Sequence, residues 1–218
     1  MKIREIIDLT VSLSTHMPVW ATAPLPKIEP VGYVSRDGYN YELYSSGTHT
    51  GTHVDAPYHF DEHGKTVDEI PLETLIGDGY CISVGSRNSE IDVSELEKKW
   101  RKEYDGSILL LRTDWSRKRG FTKEFLYEFP GLSVNTVDFI LKHRIKVVGI
   151  DTLGIDPYSH SGFDVHKALL TKGIPFIEDL CNLERLKEGK KYLVAALPAK
   201  LRGASGSMAR VVAMDIEG

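Results

Sequence analysis

The residues with the clearest capacity for chemistry lie close together in one short segment of the chain. Three histidines and one aspartate fall within eleven residues: His49, His53, Asp55 and His59. Imidazole nitrogens and carboxylate oxygens are good ligands for zinc, and they also bind manganese or iron. The segment therefore predicts a metal site in which His49, His53 and Asp55 are the three protein ligands and a fourth position stays open for water.

The spacing of these residues determines which backbone can carry them. In an extended segment the side chains alternate between two faces, so all four would project to the same side. A straight strand would hold His49 and His53 roughly 13 Å apart, too far for ligands that lie about 2 Å from one ion. We therefore expect a bend, for which Gly47 and Gly51 provide permissive backbone angles. A helix is disfavoured because Gly51 and Pro57 interrupt it.

His59 is separated from the other three residues by Pro57, and we expect it to have a different role. A fourth protein ligand would close the metal site to water. Histidine titrates near neutral pH, which suits it to general acid and base catalysis. We therefore predict that His59 is a catalytic residue that moves protons and does not bind the metal.

Trp20 is a candidate substrate-binding residue outside this segment. It lies in a loop predicted by four prolines: Pro18, Pro24, Pro26 and Pro30. A tryptophan in such a loop commonly fills a core or an interface, and a lid over the substrate is the functional alternative. Both interpretations of Trp20 remain open on the sequence alone.

The elements around the histidine segment alternate between strand and helix patterns. Apolar periodicity and capping residues predict helices at residues 93–104, 135–143, 164–172 and 183–186. Apolar or alternating runs predict strands at residues 6–13, 31–34, 39–44, 79–85, 107–112, 146–150, 174–177, 192–197 and 209–216. Asp37-Gly38 predicts a hairpin between the second and third strands, and residues 202–207 predict a flexible loop. This alternation favours an α/β fold, with the histidine segment following the strand at residues 39–44.

The composition excludes several classes of function. The 218 residues show no linker or low-complexity run, so we expect a single domain over residues 1–218. The 27 basic and 31 acidic residues give a net charge of −4 without a basic stripe, which argues against a nucleic-acid partner. We expect no membrane span and no secretory signal, because charges interrupt every apolar run. Cys81 and Cys181 are expected to be buried free thiols of a cytoplasmic protein.

The histidine segment also carries a resemblance to a known family. It reads His-x-Gly-Thr-His-x-Asp-x-Pro-x-His, which resembles the signature of the metal-dependent cyclase family, whose members include bacterial kynurenine formamidase and isatin hydrolase. Residues 8–10, 149–152 and 202–210 resemble further landmarks of that family. The chain departs from the family at residues 17–24, where a Pro-Gly-Asp sequence is typical, and that loop helps to shape the substrate pocket.

The resemblance implies a site with two divalent metal ions, Zn²⁺ or alternatively Mn²⁺. On matching positions, His49, His53 and Asp55 would bind one ion, and Asp55 would bridge to a second ion held by His166 and Glu178. The implied fold is an α/β domain in which a β-barrel-like mixed sheet is packed by helices, of the swivelling β/β/α type. The implied assembly is a homodimer or homotetramer.

The activity implied by the resemblance is hydrolysis of an amide bond in a small molecule. Cleavage of N-formylkynurenine to kynurenine and formate is the leading expectation. Hydrolysis of another small cyclic amide or lactone, as by an isatin hydrolase, is the alternative within the enzymes. A metal-binding protein without turnover is the alternative outside them, and the presence of His59 beside three ligands argues against it.

Overall fold

The computed structural model describes residues 2–85 and 90–217. The strands within these ranges are β1 Lys2–Asp8, β2 Lys27–Gly32, β3 Tyr41–Ser45, β4 His53–Asp55, β5 Ile76–Ser83, β6 Glu90–Ile91, β7 Ile108–Arg112, β8 Gly131–Leu132, β9 Val147–Ile150, β10 Phe176–Glu178, β11 Tyr192–Pro198 and β12 Gly206–Glu217. The α-helices are α1 Val34–Asp37, α2 Leu72–Leu75, α3 Val93–Lys99, α4 Lys123–Tyr127, α5 Val137–Lys142 and α6 Asp164–Leu170.

Seven of these strands close into a mixed barrel. Their order is β12, β11, β5, β7, β9, β10 and β4, and β4 pairs back onto β12. Neighbouring strands from β5 through β10 run parallel, and the remaining pairs of the barrel are antiparallel. β1 adds to β12 as an eighth strand of the same sheet. The predicted α/β fold with a barrel-like mixed sheet packed by helices is confirmed.

The central parallel strands β7 and β9 are almost entirely apolar, as expected for strands buried on both faces. Along β7, Ile108 and Leu110 belong to one core cluster, whereas Leu109 and Leu111 belong to another. Side chains alternate between the faces of a strand, so the first cluster fills the barrel and the second lies outside it. The second cluster also contains apolar residues of α3, α5 and α6. α6, which carries His166, is therefore fixed by packing onto the barrel.

The hairpin near the N-terminus differs from its predicted form. The strand expected at residues 31–34 has the wrong bounds, because β2 spans Lys27–Gly32 and Val34 begins the short helix α1. Two side chains bond into this turn: Asp37 Oδ2 accepts from the Tyr33 N–H at 2.9 Å, and Asn40 Oδ1 accepts from the Val34 N–H at 3.1 Å. The helix ends at Gly38, whose φ of +82° suits glycine. The two strands still form a hairpin, with an α-helical connection in place of a tight turn.

Two further expectations need correction. Residues 206 and 207, expected within a flexible loop, belong to β12 and pair with Asp55 and Val54 of β4. Cys81 is buried as expected, but Cys181 is only half-buried; both are free thiols. Within the described ranges, no helix has both the length and the apolar character needed to cross a membrane.

A buried carboxylate at the end of β9 makes a prediction about stability. Asp151 is 1% exposed, and its Oδ1 accepts hydrogen bonds from the backbone N–H and the hydroxyl of Thr113 at 2.8 and 2.6 Å. No ion pair involves this carboxylate within the described residues. Burial raises the pKa of Asp151 from 3.8 to about 6. Between pH 3.8 and about pH 6 the folded protein therefore keeps a proton that the unfolded chain has lost. The free energy of unfolding falls as pH rises through this range, by up to about 3 kcal/mol.

We expect Asp151→Asn to stabilise the protein above pH 6 and to have little effect near pH 4. The amide removes the cost of burying a charge while its oxygen still accepts from Thr113. Thermal unfolding of both proteins at pH 4.5 and pH 7.5 measures the difference. A change in Tm of equal size at the two pH values would contradict the raised pKa.

Candidate metal centre and substrate pocket

The histidine segment bends as its spacing requires. His53 and Asp55 are the ends of the three-residue strand β4 and project to the same face. Gly51 precedes the strand with a φ of +62°, and a Cβ atom there would lie 2.7 Å from Leu13 Cδ2, so the position favours glycine. After the strand, Pro57 begins a 3-10 turn that ends at His59. His53 and Asp55 are thus held by a buried strand, His49 by the bend before it, and His59 by the turn that follows it.

The Asp55 carboxylate lies at the centre of a compact cluster. Its Oδ1 is 2.6 Å from His49 Nδ1 and 3.0 Å from His53 Nε2, and its Oδ2 is 3.6 Å from His166 Nε2. Glu178 completes the cluster, with its Oε1 3.2 Å from His166 Nε2 and its Oε2 3.6 Å from His53 Nε2. The antiparallel pairing of β10 with β4 places Glu178 directly opposite His53. All five residues that the family resemblance assigns to metal binding therefore meet, and their roles stay predictions.

The donor atoms of this cluster fit a divalent cation. His53 Nε2 and Asp55 Oδ2 are buried without any hydrogen-bond partner among the described residues. Such orphaned polar atoms are costly unless something else binds them. One donor atom each from His53, Asp55 and Glu178 lies within 4.8 Å of the others. Buried imidazole and carboxylate groups at this separation are a ligand set for zinc or manganese.

The electrostatic potential of the cluster is also suited to a cation. Burial alone would lower the pKa of His53, but the carboxylates of Asp55 and Glu178 raise it to about 9. Burial would likewise lower the pKa of His166, but its contact with Asp156 and the nearby carboxylates of Asp55 and Glu178 raise that pKa well above its usual value. The two carboxylates thus attract positive charge to the imidazole nitrogens. The same potential stabilises a metal ion that replaces those protons.

His59 lies against the cluster without a hydrogen bond to it. Its ring stacks on His49 with centroids 3.9 Å apart, and it meets His166 edge-on at 6.1 Å. Burial lowers the pKa of His59 to about 4, with Asp55 opposing and the neighbouring imidazoles adding to the effect. A nitrogen of His59 also falls within 4.8 Å of donor atoms of His49 and Asp55. Its position suits either proton transfer or metal binding, and its pKa makes it neutral at pH 7.

A cavity of about 230 Å³ opens over the cluster, with an aromatic and apolar wall. Trp20 lines it and packs on Phe129, Tyr158 and Phe163 with ring centroids 5.4 to 5.9 Å apart. Phe60 and Leu153 also line it, together with His49, His53, His59, His166 and Glu178. Trp20 therefore both fills a small aromatic core and forms part of the cavity wall. The cavity has the size and lining of a site for a small aromatic molecule.

Two supporting residues were not predicted from the sequence. Asp156 is 2% exposed, and its Oδ2 lies 2.5 Å from His166 Nδ1 and 3.0 Å from the His166 backbone nitrogen. This contact orients the ring so that Nε2 faces Glu178, as carboxylates do for metal-binding histidines. Ser205 Oγ lies 2.9 Å from His49 Nε2. The available signal for Asp156 in the sequence is its place shortly before the predicted helix at residues 164–172, which carries His166.

Comparison with known proteins assigns the chain to a family. A family model described as "Putative cyclase" matches residues 7–157. A kynurenine formamidase of Bacillus cereus strain ATCC 14579 is 30% identical over 224 residues, covering 99% of this chain and 100% of the relative. The chain belongs to the cyclase family. A kynurenine formamidase of Geobacillus thermodenitrificans is 31% identical over 212 residues and 94% of each chain.

Solved structures of cyclase-family proteins share the whole architecture. Isatin hydrolase A from Labrenzia aggregata, bound to benzyl benzoate, superposes with a TM-score of 0.88 and 26% identity, covering 98% of this chain and 94% of its own. A potential metal-dependent hydrolase with cyclase activity superposes with a TM-score of 0.82 and 30% identity, covering 98% and 99%. These matches confirm the family resemblance and the class of metal-dependent hydrolase that the histidine motif predicted.

Proposed function

We propose that this chain is an arylformamidase with two metal ions, which hydrolyses N-formylkynurenine to kynurenine and formate. The observation that carries the proposal is the position of the Asp55 cluster at the floor of an aromatic-walled cavity. Full-length similarity to kynurenine formamidases supports the choice of substrate. The cavity would hold the aryl ring of the substrate and present its formyl carbon to the cluster.

His49, His53, Asp55, His166 and Glu178 would hold the ions, with Zn²⁺ favoured and Mn²⁺ as the alternative. Divalent ions bound there would lower the pKa of a water molecule and polarise the formyl oxygen. His59 is neutral at rest, so it can accept the proton of the attacking water. The imidazolium that results can then donate this proton to the departing nitrogen. An aryl amine suits this step because it is a less basic leaving group than an alkyl amine.

Glu178→Gln is expected to weaken the binding of one ion of the two. The amide keeps the shape and the hydrogen bond from the Ile155 N–H, which Glu178 Oε1 accepts at 2.6 Å. It removes the negative charge that the second ion needs beside His166. Metal analysis of the variant and the unmodified protein, both purified without chelators, measures the number of bound ions per chain. One ion or none per chain in the unmodified protein would contradict the two-metal proposal.

Trp20→Ala is expected to raise KM for an aryl formamide about tenfold, with a smaller effect on kcat. The substitution removes a face of the cavity that contacts bound substrate throughout the reaction, and tenfold is ~1.4 kcal/mol. Trp100→Ala is the matched control, because Trp100 packs on Tyr104, Phe139 and His143. An unchanged KM in Trp20→Ala would leave Trp20 with a packing role alone.

A cyclic amide or lactone is the second candidate substrate. It is favoured by the close superposition with isatin hydrolase A. The decisive experiment incubates the protein with N-formylkynurenine, isatin and a small lactone, with and without a chelator, and follows substrate loss. Chelator-sensitive loss of N-formylkynurenine supports the proposal. Turnover of isatin alone selects the second candidate, and turnover of none supports a metal-binding protein without catalysis.

We also propose that the chain forms a homodimer or homotetramer and is cytoplasmic. The hairpin of β2 and β3 lies outside the barrel sheet and exposes seven large apolar side chains of its strands and connection: Val31, Tyr33, Val34, Tyr39, Tyr41, Leu43 and Tyr44. An isolated hairpin is marginally stable, and such a patch marks an interface. A second copy of the chain is the occupant we propose, and light scattering measures it. The free thiols support a reducing compartment.

A further inference from the structure

The cavity wall that carries Trp20 depends on a loop with few bonds to the barrel. This segment, the Trp20 loop, comprises residues 17–23 and follows β1. Two backbone hydrogen bonds tie it to itself and to Ser14, from Met17 and Ala23. Among the described residues, one hydrogen bond links it to the rest of the fold: the Pro18 carbonyl accepts from Arg119 Nη1 at 3.1 Å. The position of the wall is therefore sensitive to Arg119.

Arg119 has a second partner, which also belongs to the lining of the cavity. Its Nη2 pairs with Oδ1 of Asp179, the residue directly after Glu178. Asp179 is 2% exposed and lines the cavity, whereas the side chain of Arg119 is 21% exposed. The guanidinium also lies over the Phe125 ring at 5.1 Å, which limits its freedom. The Arg119 side chain thus connects the Pro18 carbonyl of the Trp20 loop with Asp179, which follows β10.

The metal side of this span is anchored without Arg119. The Asp179 backbone donates to the Thr152 carbonyl at 2.8 Å and accepts from the Thr52 hydroxyl at 2.6 Å. Glu178 Oε1 is separately held by the Ile155 N–H. The loop side has no comparable set of bonds. Loss of the Arg119 contact should therefore loosen the loop, which then keeps the apolar packing of Met17, Val19 and Trp20, and leave the metal ligands in place.

We propose that Arg119 is a positioning residue that clasps the Trp20 loop to Asp179 and thereby sets the width of the substrate cavity. A guanidinium can satisfy a carboxylate and a carbonyl at once because its N–H groups form a fixed planar fork. Lysine is a point charge and can hold Asp179 but not both partners. The role toward substrate rests on the proposed function, whereas the clasp itself is a property of the loop.

The test compares four variants by hydrogen exchange of residues 17–23, thermal unfolding, metal content and kinetics with N-formylkynurenine. Arg119→Met should speed loop exchange at least about tenfold, raise KM more than it lowers kcat, and lower Tm, because Asp179 is left buried and unpaired. Arg119→Lys should restore Tm and leave loop exchange fast. Metal content should be unchanged in both. Arg117→Met is the control, since Arg117 is 56% exposed on the neighbouring 3-10 turn.

The double variant Arg119→Met with Asp179→Asn separates positioning from charge pairing. It removes the unpaired carboxylate, so Tm should recover while loop exchange stays fast and KM stays high. Recovery of loop exchange together with Tm would overturn the proposal, and so would unchanged exchange in Arg119→Lys. If the protein hydrolyses no substrate offered, the proposed function fails, and the exchange measurements still decide whether the clasp exists. If Arg119→Met does not fold, the lysine and double variants supply the same comparison.

Discussion

His59→Ala should abolish hydrolysis of N-formylkynurenine and leave the metal content nearly unchanged. General acid and base catalysis by a positioned side chain contributes roughly 10² to 10⁴ in rate, and His59 is placed for both halves of the reaction. Its ring stacks on His49 and lines the cavity, so in the proposed reaction it would lie beside the attacking water and the departing nitrogen. Kinetics and metal analysis on the same preparation provide the two measurements.

The resting protonation state of His59 decides the order of its two steps. Burial lowers its pKa to about 4, so the imidazole is neutral above pH 5 and starts as a base. It becomes an imidazolium only after it accepts a proton from water. The pH profile of the activity should therefore show no titration of His59 between pH 6 and pH 8. The base form is lost only as pH falls through the lowered pKa.

The metal measurement distinguishes the two roles that the geometry of His59 allows. A nitrogen of His59 lies within 4.8 Å of donors from His49 and Asp55, so a ligand role is the competing hypothesis. A variant that loses one ion along with its activity would assign His59 as a ligand. His63→Ala is the matched control, because His63 follows in the same segment with an 88% exposed side chain. It should retain both activity and metal.

One half of the candidate site, which comprises His49, His53 and Asp55, could be predicted from the sequence because its residues lie close together in the chain. The spacing of His49, His53 and Asp55 predicted a metal site and with it a bend in the backbone, and Gly51 supplies that bend with a φ of +62°. The strands of the parallel part of the sheet, β5, β7, β9 and β10, could be predicted in the same way, because each is a continuous run of residues. Continuous apolar runs such as residues 108–111 identify strands buried on both faces.

The other half of the candidate site, which comprises His166 and Glu178, depends on long-range contacts that no local sequence pattern encodes. Glu178 meets His53 because β10 pairs with β4, and this pairing follows from barrel closure across more than a hundred residues. Only the family resemblance pointed to His166 and Glu178. Asp156 and Arg119 lacked even that signal, since an acid in a loop and a base after a turn are ordinary surface residues by sequence. Long-range pairing alone turns them into partners of His166 and Asp179.

Asp55→Asn should remove both metal ions, where Glu178→Gln weakens only one. Asp55 is 1% exposed, and its two oxygens face different members of the cluster: Oδ1 faces His49 and His53, and Oδ2 faces His166. An amide keeps the size of the side chain but replaces one oxygen with a donor that cannot bind a cation. Both halves of the site then lose a negative ligand at the same time.

The contrast between these two variants tests whether Asp55 is a bridge. Asp61→Asn is the control for loss of a carboxylate in the same segment, since Asp61 Oδ1 accepts only the His63 N–H, at 3.0 Å. It should keep two ions per chain. Metal analysis and calorimetric titration of Zn²⁺ into the metal-free proteins give the counts. If Asp55→Asn retains one tightly bound ion, Asp55 serves a single metal, and the ion that remains belongs to His166 and Glu178. If Asp55 is a bridge, neither ion should survive its loss, because each would be left with two protein ligands, fewer than the three of a typical catalytic zinc site.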